Sequence, residues 1–206
     1  MGVKTYSKSK DGNTKVSKNF KVKEFACKDG SNAIKIDSVT VNYLQMARNL
    51  IGHAITINSG YRTQAYNTKV GGSTNSYHVK GQACDTTSKL GALVLARTYE
   101  LLGAKGIGYY SYSPFCHVDS RTSKYFWRQD KSNASYYSVQ TFLSTTIIKR
   151  VQTYLNKTAH ETNNKKFGCG SVDGTSGEKT QTAFRYFCEN ATQSRLANMF
   201  SYINIK

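Results

Sequence analysis

Apolar residues recur along the chain with two periods, one typical of helices and one typical of strands. Residues 38–52 and 89–106 carry apolar side chains at helical spacing. Residues 54–62 and 106–121 alternate as strands do, with glycines at their turns. The combination predicts a fold in which helices pack on a sheet.

The two ends of the chain differ in pattern from its middle. Residues 1–19 are polar and lack apolar periodicity, which predicts a polar N-terminal tail. Composition shifts near residue 139, and two helical patterns follow on either side of "SVDGTSG". We therefore expect a main domain over residues 20–138 and a small all-α domain over residues 139–206.

The composition supports a packed core and suggests an anionic partner. Of the 206 residues 38% are hydrophobic, and 29 Lys and Arg against 12 Asp and Glu give a formal charge of +17. Such a surface attracts nucleic acid, anionic lipid or the anionic polymers of a bacterial wall. The lysines are scattered, which disfavours a dedicated nucleic-acid arm.

Cysteine usage and the N-terminal segment bear on where the chain is made. The five cysteines are an odd number without a CxxC pair, so reduced, buried thiols are expected rather than a zinc ribbon. No run approaches the roughly 20 apolar residues of a membrane span, and no apolar stretch of a signal peptide opens the sequence. We expect synthesis in a reducing cytoplasm without a signal peptide.

Two stretches, "SYHVKGQACD" and "FCHVDSR", hold the candidate chemistry. A catalytic zinc takes three nitrogen or carboxylate ligands and keeps one position open. His78, Asp85 and His117 are candidates because a turn, a strand and a neighbouring strand would bring them to one face of a sheet. Asp119 follows His117 by two residues, so it lies on the same face, within reach of an activated water.

The same alternation makes a prediction about two cysteines. Cys84 directly precedes Asp85, and Cys116 directly precedes His117. Neighbouring side chains on a strand point to opposite faces. Both thiols should therefore face the core and not the metal.

Three blocks of the sequence resemble a known family of enzymes. "SGYRT" (59–63), "SYHVKGQACD" (76–85) and "GIGYYSYSPFCHVDSR" (106–121) are similar to the signature blocks of zinc D-alanyl-D-alanine carboxypeptidases and the related phage and bacterial peptidoglycan endopeptidases, which share the hedgehog/DD-peptidase fold. The family's central block reads Ser-x-His-x-x-Gly-x-Ala-x-Asp. Every fixed position is matched, by Ser76, His78, Gly81, Ala83 and Asp85. The resemblance spans about residues 20–127.

This resemblance implies an α+β fold with an antiparallel sheet that carries one Zn²⁺. It places the zinc ligands at His78, Asp85 and His117 and a substrate-orienting arginine at Arg62. Ser76 and Tyr109 are the further candidates for substrate binding, with Tyr110 as an alternative to Tyr109.

The general base is the point at which the sequence departs from the family. Many relatives carry a carboxylate three residues before the last histidine, where this chain has Pro114. Asp119 is then the candidate base, or else a group that orients His117.

The C-terminal segment resembles the helical peptidoglycan-binding domain of many wall hydrolases. The residues that match its pattern are Val151, Gln152, Leu155, Asn156, Asp173, Gly174, Gly177, Thr180, Ala183 and Phe187. A long insert, "KTAHETNNKKFGCG", and Cys188 in place of a usual glutamine depart from that pattern.

These observations lead to one main functional prediction and three alternatives. The main one is a zinc metallopeptidase that hydrolyses peptide bonds in bacterial peptidoglycan, as a monomeric phage or prophage lysin that acts at the cell wall after release. Peptidoglycan and anionic wall polymers are the expected partners, not nucleic acid or membrane. The alternatives are a D-alanyl-D-alanine carboxypeptidase, a non-catalytic wall-binding protein, and a nucleic-acid binder suggested by charge alone.

Overall fold

The fold combines two β-sheets with seven α-helices in a computed structural model that describes residues 2–205. The strands are β1 (Val3–Ser7), β2 (Ala33–Asp37), β3 (Thr56–Ser59), β4 (Ala83–Thr87), β5 (Gly106–Tyr110), β6 (Phe115–Asp119), β7 (Tyr125–Gln129) and β8 (Tyr137–Val139). The helices are α1 (Lys8–Asp11), α2 (Ser38–Ile51), α3 (Gln64–Lys69), α4 (Ala92–Leu101), α5 (Thr145–Thr162), α6 (Glu178–Asn190) and α7 (Gln193–Ile203). The α+β prediction is confirmed.

The larger sheet is mixed, so the prediction of an antiparallel sheet is wrong for one strand pair. Its order is β3-β4-β6-β5-β7-β8, and β5 pairs with β7 in parallel while the other neighbours are antiparallel. The β5–β6 hairpin already occupies one edge of β5. The chain after β6 therefore crosses to the free edge, where β7 runs in the direction of β5.

The pairing of β4, β6 and β5 brings the chemistry of the sequence together. Asp85 on β4 lies directly opposite His117 on β6, and Gly108 on β5 lies opposite His117 on its other side. Directly opposed residues of antiparallel strands have side chains on the same face. Cys84 and Cys116 point the other way, into the hydrophobic core, as predicted.

The predicted helices form, and glycines set their limits. The αL residue Gly52 ends α2, with φ of 66°. The second predicted helix is shorter than expected, because Gly91 and Gly103 adopt φ of 90° and 85° on either side of α4. None of the helices within residues 2–205 is long and apolar enough to cross a membrane.

The described part of the N-terminal segment is structured, so the prediction of a polar tail over residues 1–19 is wrong there. β1 forms an antiparallel pair with β2 over its whole length. Ile34 and Ile36 of β2 belong to the core. The segment has no apolar periodicity because β1 is mostly exposed, and its order comes from backbone pairing.

The C-terminal helices share the hydrophobic core of the rest of the molecule. Apolar residues of α5, α6 and α7 form one continuous buried cluster with those of α2 and α4. Asn49 of α2 donates to the Cys188 carbonyl at 3.1 Å, and Arg185 of α6 donates to the Leu102 carbonyl at 3.1 Å. The expected boundary at residue 139 falls at the end of β8, inside the sheet, and α7 is a third helix where two were predicted.

Candidate metal centre

Three side chains meet on the open face of the sheet with their donor atoms turned toward one another. His78 Nε2 lies 3.2 Å from His117 Nδ1 and 3.3 Å from Asp85 Oδ1. His117 Nδ1 lies 3.0 Å from Asp85 Oδ1. The three residues are buried, with 3%, 8% and 7% exposure for His78, Asp85 and His117. The predicted ligand set is therefore brought together as a group able to hold a metal ion.

The size and chemistry of this triangle fit zinc. Zinc bonds of about 2.0–2.1 Å in tetrahedral geometry put two donor atoms roughly 3.3 Å apart. The three edges of this triangle are 3.0 to 3.3 Å long. Two imidazoles and one carboxylate also form a donor set that zinc commonly takes at catalytic sites, with one position left open.

Each of the three candidate ligands is oriented by a second polar partner. His78 Nδ1 donates to the Gly60 carbonyl at 2.7 Å, which leaves Nε2 free to bind a metal. Asp85 Oδ2 accepts from Arg62 Nη2 at 2.6 Å, which leaves Oδ1 in the triangle. His117 is held in the same way through Nε2, 3.0 Å from Asp119 Oδ2.

The charges within the cluster perturb its pKa values. Burial alone would raise the pKa of Asp85, but the two histidines outweigh it and hold that pKa well below its usual range. Burial would lower the pKa of His117, whereas hydrogen bonds and charge from Asp119 and Asp85 raise the pKa to about 9 in the metal-free chain. The cluster thus favours a cation beside Asp85.

The turn that carries His78 explains the glycine and serine of its motif. Gly81 has φ of 73°, and a Cβ there would come within 2.6 Å of the Lys35 carbonyl oxygen. Ser76 Oγ accepts from the His78 backbone N–H at 3.2 Å. Ser76 lines the cleft, as expected for a substrate contact, but its hydroxyl also shapes the loop that positions His78.

Arg62 lies at the site but is engaged with Asp85, one of the candidate metal ligands. Its Nε donates to Ser59 Oγ at 2.8 Å, and its Nη2 pairs with Asp85. The guanidinium lines the cleft and retains 16% side-chain exposure. Arg62 therefore supports Asp85, and it borders the space in which a substrate would lie.

Asp119 lies behind His117, which contradicts its expected position facing an activated water. It is completely buried and does not line the cleft. Its carboxylate contacts His117 Nε2 on one side and accepts two side-chain donors of Arg121, Nε at 2.8 Å and Nη2 at 2.6 Å, on the other. The contact agrees with the alternative prediction that Asp119 orients His117. Strand alternation alone could not choose between the two roles, because it predicts the face of a side chain and not the direction of an imidazole ring.

Arg121 is a functional candidate that the sequence analysis missed. Its guanidinium lies 4.7 Å from the ring centre of Tyr77 and 5.4 Å from those of Tyr125 and Trp127. Because Tyr77 precedes His78, and the Trp127 ring lies 5.0 Å from that of His117, Arg121 joins both histidine segments. Arg121 follows Asp119 by two residues, a spacing that places both side chains on the same face of an extended chain. This spacing could have identified Arg121 as a partner of Asp119.

Tyr109, expected to bind substrate, lies on the wrong face of the sheet for that role. It packs against Phe142 with ring centres 6.1 Å apart, among residues that border the core. Gly106, Gly108 and Tyr110 lie on the face of β5 that carries the three candidate ligands, which we call the metal face. The tyrosine of β5 that lines the cleft is therefore Tyr110. Gly108 pairs with His117, so alternation along β5 places Tyr110, two residues further on, on the same face as His117. This reasoning would have identified Tyr110.

An open cleft of about 590 Å³ leads to the three donors. This volume lies within the range of about 300–1,000 Å³ typical of ligand sites. Among the described residues that line it, Asp85 is the one carboxylate. The polar and aromatic side chains of its walls include Arg62, Ser73, Asn75, Ser76, Tyr77, Tyr110, Phe115, Arg121, Tyr125, Trp127, Gln129 and Tyr136.

Comparison with known proteins agrees with this geometry. Residues 18–119 match the family model described as Peptidase M15. The matched segment contains Arg62 and all three candidate ligands, and it ends at Asp119. A search of curated proteins found no match. The family match and the triangle of donor atoms together support the M15 zinc peptidase family for this segment of the chain.

Proposed function

We propose that the protein is a zinc peptidase that hydrolyses peptide bonds in bacterial peptidoglycan. The observation that carries the proposal is the triangle of His78, Asp85 and His117, whose donor atoms are 3.0 to 3.3 Å apart at the base of an open cleft. A purely structural zinc site would be closed by a fourth protein ligand. No fourth His, Cys, Asp or Glu joins this group among residues 2–205.

Zinc held by these three residues supplies Lewis acidity, which lowers the pKa of water and polarises a peptide carbonyl. The residues of the chain orient the ligands and supply a positive charge beside the substrate. Gly60, Asp119 and Arg62 each orient one ligand through a hydrogen bond. The cationic Arg62 beside the ligands provides positive charge where a substrate oxygen becomes negative.

We propose that Asp119 is a positioning residue rather than the general base. Its carboxylate is separated from the cleft by the His117 ring, and Arg121 neutralises it. Donation from His117 Nε2–H to Asp119 fixes the tautomer whose Nδ1 lone pair faces the other ligands. The effect of Asp119 on hydrolysis then comes through the metal site.

The charge of the chain supports a polyanionic wall as the place of action. A formal charge of +17 would draw the protein to anionic wall polymers through attraction that salt weakens. The proposed setting is that of a lysin, made in the cytoplasm of an infected or lysogenic bacterium and active on the wall after release. The C-terminal helices, which resemble a peptidoglycan-binding domain, would add wall affinity to the same unit.

Mass spectrometry of wall digests tests this function and its nearest alternatives. Purified sacculi are incubated with the parent protein and with His78→Ala, and the soluble and insoluble products are analysed. New amino termini within stems or cross-bridges indicate an endopeptidase, as we propose. Loss of only a terminal D-alanine indicates the carboxypeptidase, and unchanged sacculi that still sediment with the protein indicate a wall-binding protein.

A further inference from the structure

Tyr110 projects from the metal face of the sheet into the cleft. It lies on β5, two residues beyond Gly108, which pairs with His117 on β6. Its side chain lines the same cleft as His78, Asp85 and His117. A residue at this diagonal position lies about 7–8 Å from its neighbour on the adjacent strand, a distance that an intervening substrate group can bridge.

The hydroxyl of Tyr110 has a proton that no described residue accepts. Trp127 Nε1 lies 3.1 Å from Tyr110 Oη. An indole nitrogen donates and never accepts, so Tyr110 is the acceptor in this bond. Its own O–H has no acceptor among residues 2–205, although the oxygen is held in place by Trp127.

The surroundings of Tyr110 hold its ring and keep its hydroxyl protonated. The ring packs against Phe115, with centres 4.5 Å apart, and against the edge of Tyr112 at 6.2 Å. Burial raises the pKa of Tyr110 above its ordinary value, and the hydrogen bond from Trp127 only partly offsets this. The hydroxyl is therefore a fixed, neutral donor at any pH at which the protein would work.

We propose that Tyr110 contacts the substrate and donates its O–H to a carbonyl oxygen of the bound peptide. The proposal rests on the proposed peptidase function. An unpaired donor at the wall of a cleft is satisfied when a ligand supplies an oxygen, and peptide carbonyls are the most frequent acceptors in such a substrate. Its fixed position means that little conformational freedom is lost when the bond forms.

Two matched variants test this role. Tyr110→Phe removes the hydroxyl from the cleft, and Tyr109→Phe removes a hydroxyl from the opposite face of the same strand. Hydrolysis of a wall-derived peptide by Tyr110→Phe should fall about 5- to 100-fold in kcat/KM, with zinc content unchanged. A loss in kcat identifies the scissile carbonyl as the acceptor, whereas a rise in KM identifies a neighbouring carbonyl.

Peptide binding provides a second readout, which does not depend on hydrolysis. Trp127 is the only tryptophan of the chain and lies in the cleft, so its fluorescence reports occupancy. Titration of the peptide into each variant gives its Kd, which should rise for Tyr110→Phe and stay at the parental value for Tyr109→Phe. If the parent binds the peptide without cleaving it and Tyr110→Phe weakens binding, the contact stands and the peptidase proposal fails.

The contact itself is refuted by either of two results. One is a Tyr110→Phe variant whose kcat/KM and Kd stay within twofold of the parental values. The other is an equal loss in Tyr109→Phe, which would show a general effect on β5 rather than a contact in the cleft. A parent that neither binds nor cleaves the peptide contradicts both proposals.

Discussion

At the residue scale, each candidate ligand is oriented by a hydrogen bond to the polar atom that faces away from the donor triangle. His117 bonds in this way to Asp119, His78 to the Gly60 carbonyl, and Asp85 to Arg62. The identity of the ligands could be predicted, since residue type and spacing restrict the choice. The sequence also offered Asp119 as a group that orients His117. It could not give the partner of His78, because a backbone carbonyl such as that of Gly60 leaves no trace in a pattern of side chains.

Replacement of Asp119 by Asn should weaken zinc binding. The amide can still accept from His117 Nε2, but it no longer neutralises Arg121, so the partly buried guanidinium loses its charged partner. Loss of such an outer partner typically lowers metal affinity about 10- to 100-fold. Competition with a chromophoric chelator measures the zinc Kd of Asp119→Asn and of the parent.

The same variant separates positioning from base catalysis. If Asp119 orients His117, hydrolysis recovers when zinc is supplied well above the new Kd. Parental zinc affinity combined with hydrolysis that stays lost at saturating zinc would show that Asp119 is the base after all.

At the element scale, the strands could be predicted where they alternate and were missed where aromatic residues interrupt the pattern. β4 and β6 follow the predicted alternation, with Cys84 and Cys116 in the core and Asp85 and His117 outside it. The segment that forms β7 and β8 resembles a linker in sequence. Its order comes from the parallel pairing of β7 with β5, and long-range pairing of this kind is not encoded locally.

Gly108 of β5 provides a test of how the sheet supports the site. A Cβ at this position would overlap the indole of Trp127. Gly108→Ala should therefore displace Trp127 from His117 and Tyr110, and such overpacking typically costs about 1–3 kcal/mol of stability. The emission maximum of Trp127 should shift and the melting temperature should fall. Gly2→Ala, with no atom within 4 Å of the new Cβ, is the control, and an unchanged spectrum in Gly108→Ala would contradict the packing described.

Glu100 links α4 to the segment that leads into the C-terminal helices. It accepts from Thr141 Oγ1 at 2.6 Å and from the Phe142 N–H at 2.7 Å. Burial raises the pKa of Glu100 above its ordinary value of 4.5, and these hydrogen bonds only partly oppose the rise. The folded state therefore holds this proton more tightly than the unfolded state does.

The raised pKa of Glu100 makes the stability of the fold depend on pH. The favourable contribution of protonated Glu100 is complete below pH 4.5 and is lost as pH rises through the raised pKa. At still higher pH, Glu100 no longer makes the stability depend on pH. Melting temperatures of the parent and Glu100→Gln, measured from about pH 4 to pH 8, should show that the parent loses stability relative to the variant over this interval. A difference between the two that does not change with pH would refute the effect.

At the scale of the whole molecule, one core joins the site-bearing sheet to the C-terminal helices. The composition shift near residue 139 suggested two independent units, because it reports only local sequence. The structure adds apolar contacts from α6 and α7 to α2, and hydrogen bonds that link Asn49 with Cys188 and Arg185 with Leu102. Contacts over such long separations cannot be read from composition.

The shared core predicts that the chain unfolds in a single cooperative transition. Calorimetric and van't Hoff enthalpies should agree, and circular dichroism and Trp127 fluorescence should give the same midpoint. A chain cut after residue 139 would expose the buried faces of α2 and α4, so it should lose cooperative unfolding altogether. Two separate transitions in the full chain, or a truncated chain with the parental melting temperature, would show independent domains.

Titration of zinc into metal-free protein, with hydrolysis of purified peptidoglycan as the readout, tests whether His78, Asp85 and His117 hold the zinc of a peptidase. The rate should rise in proportion to zinc and level off at about one equivalent per chain. For His78→Ala it should stay at background at every zinc concentration. A rate that is independent of zinc, or a His78→Ala variant that follows the parental curve, would contradict this prediction.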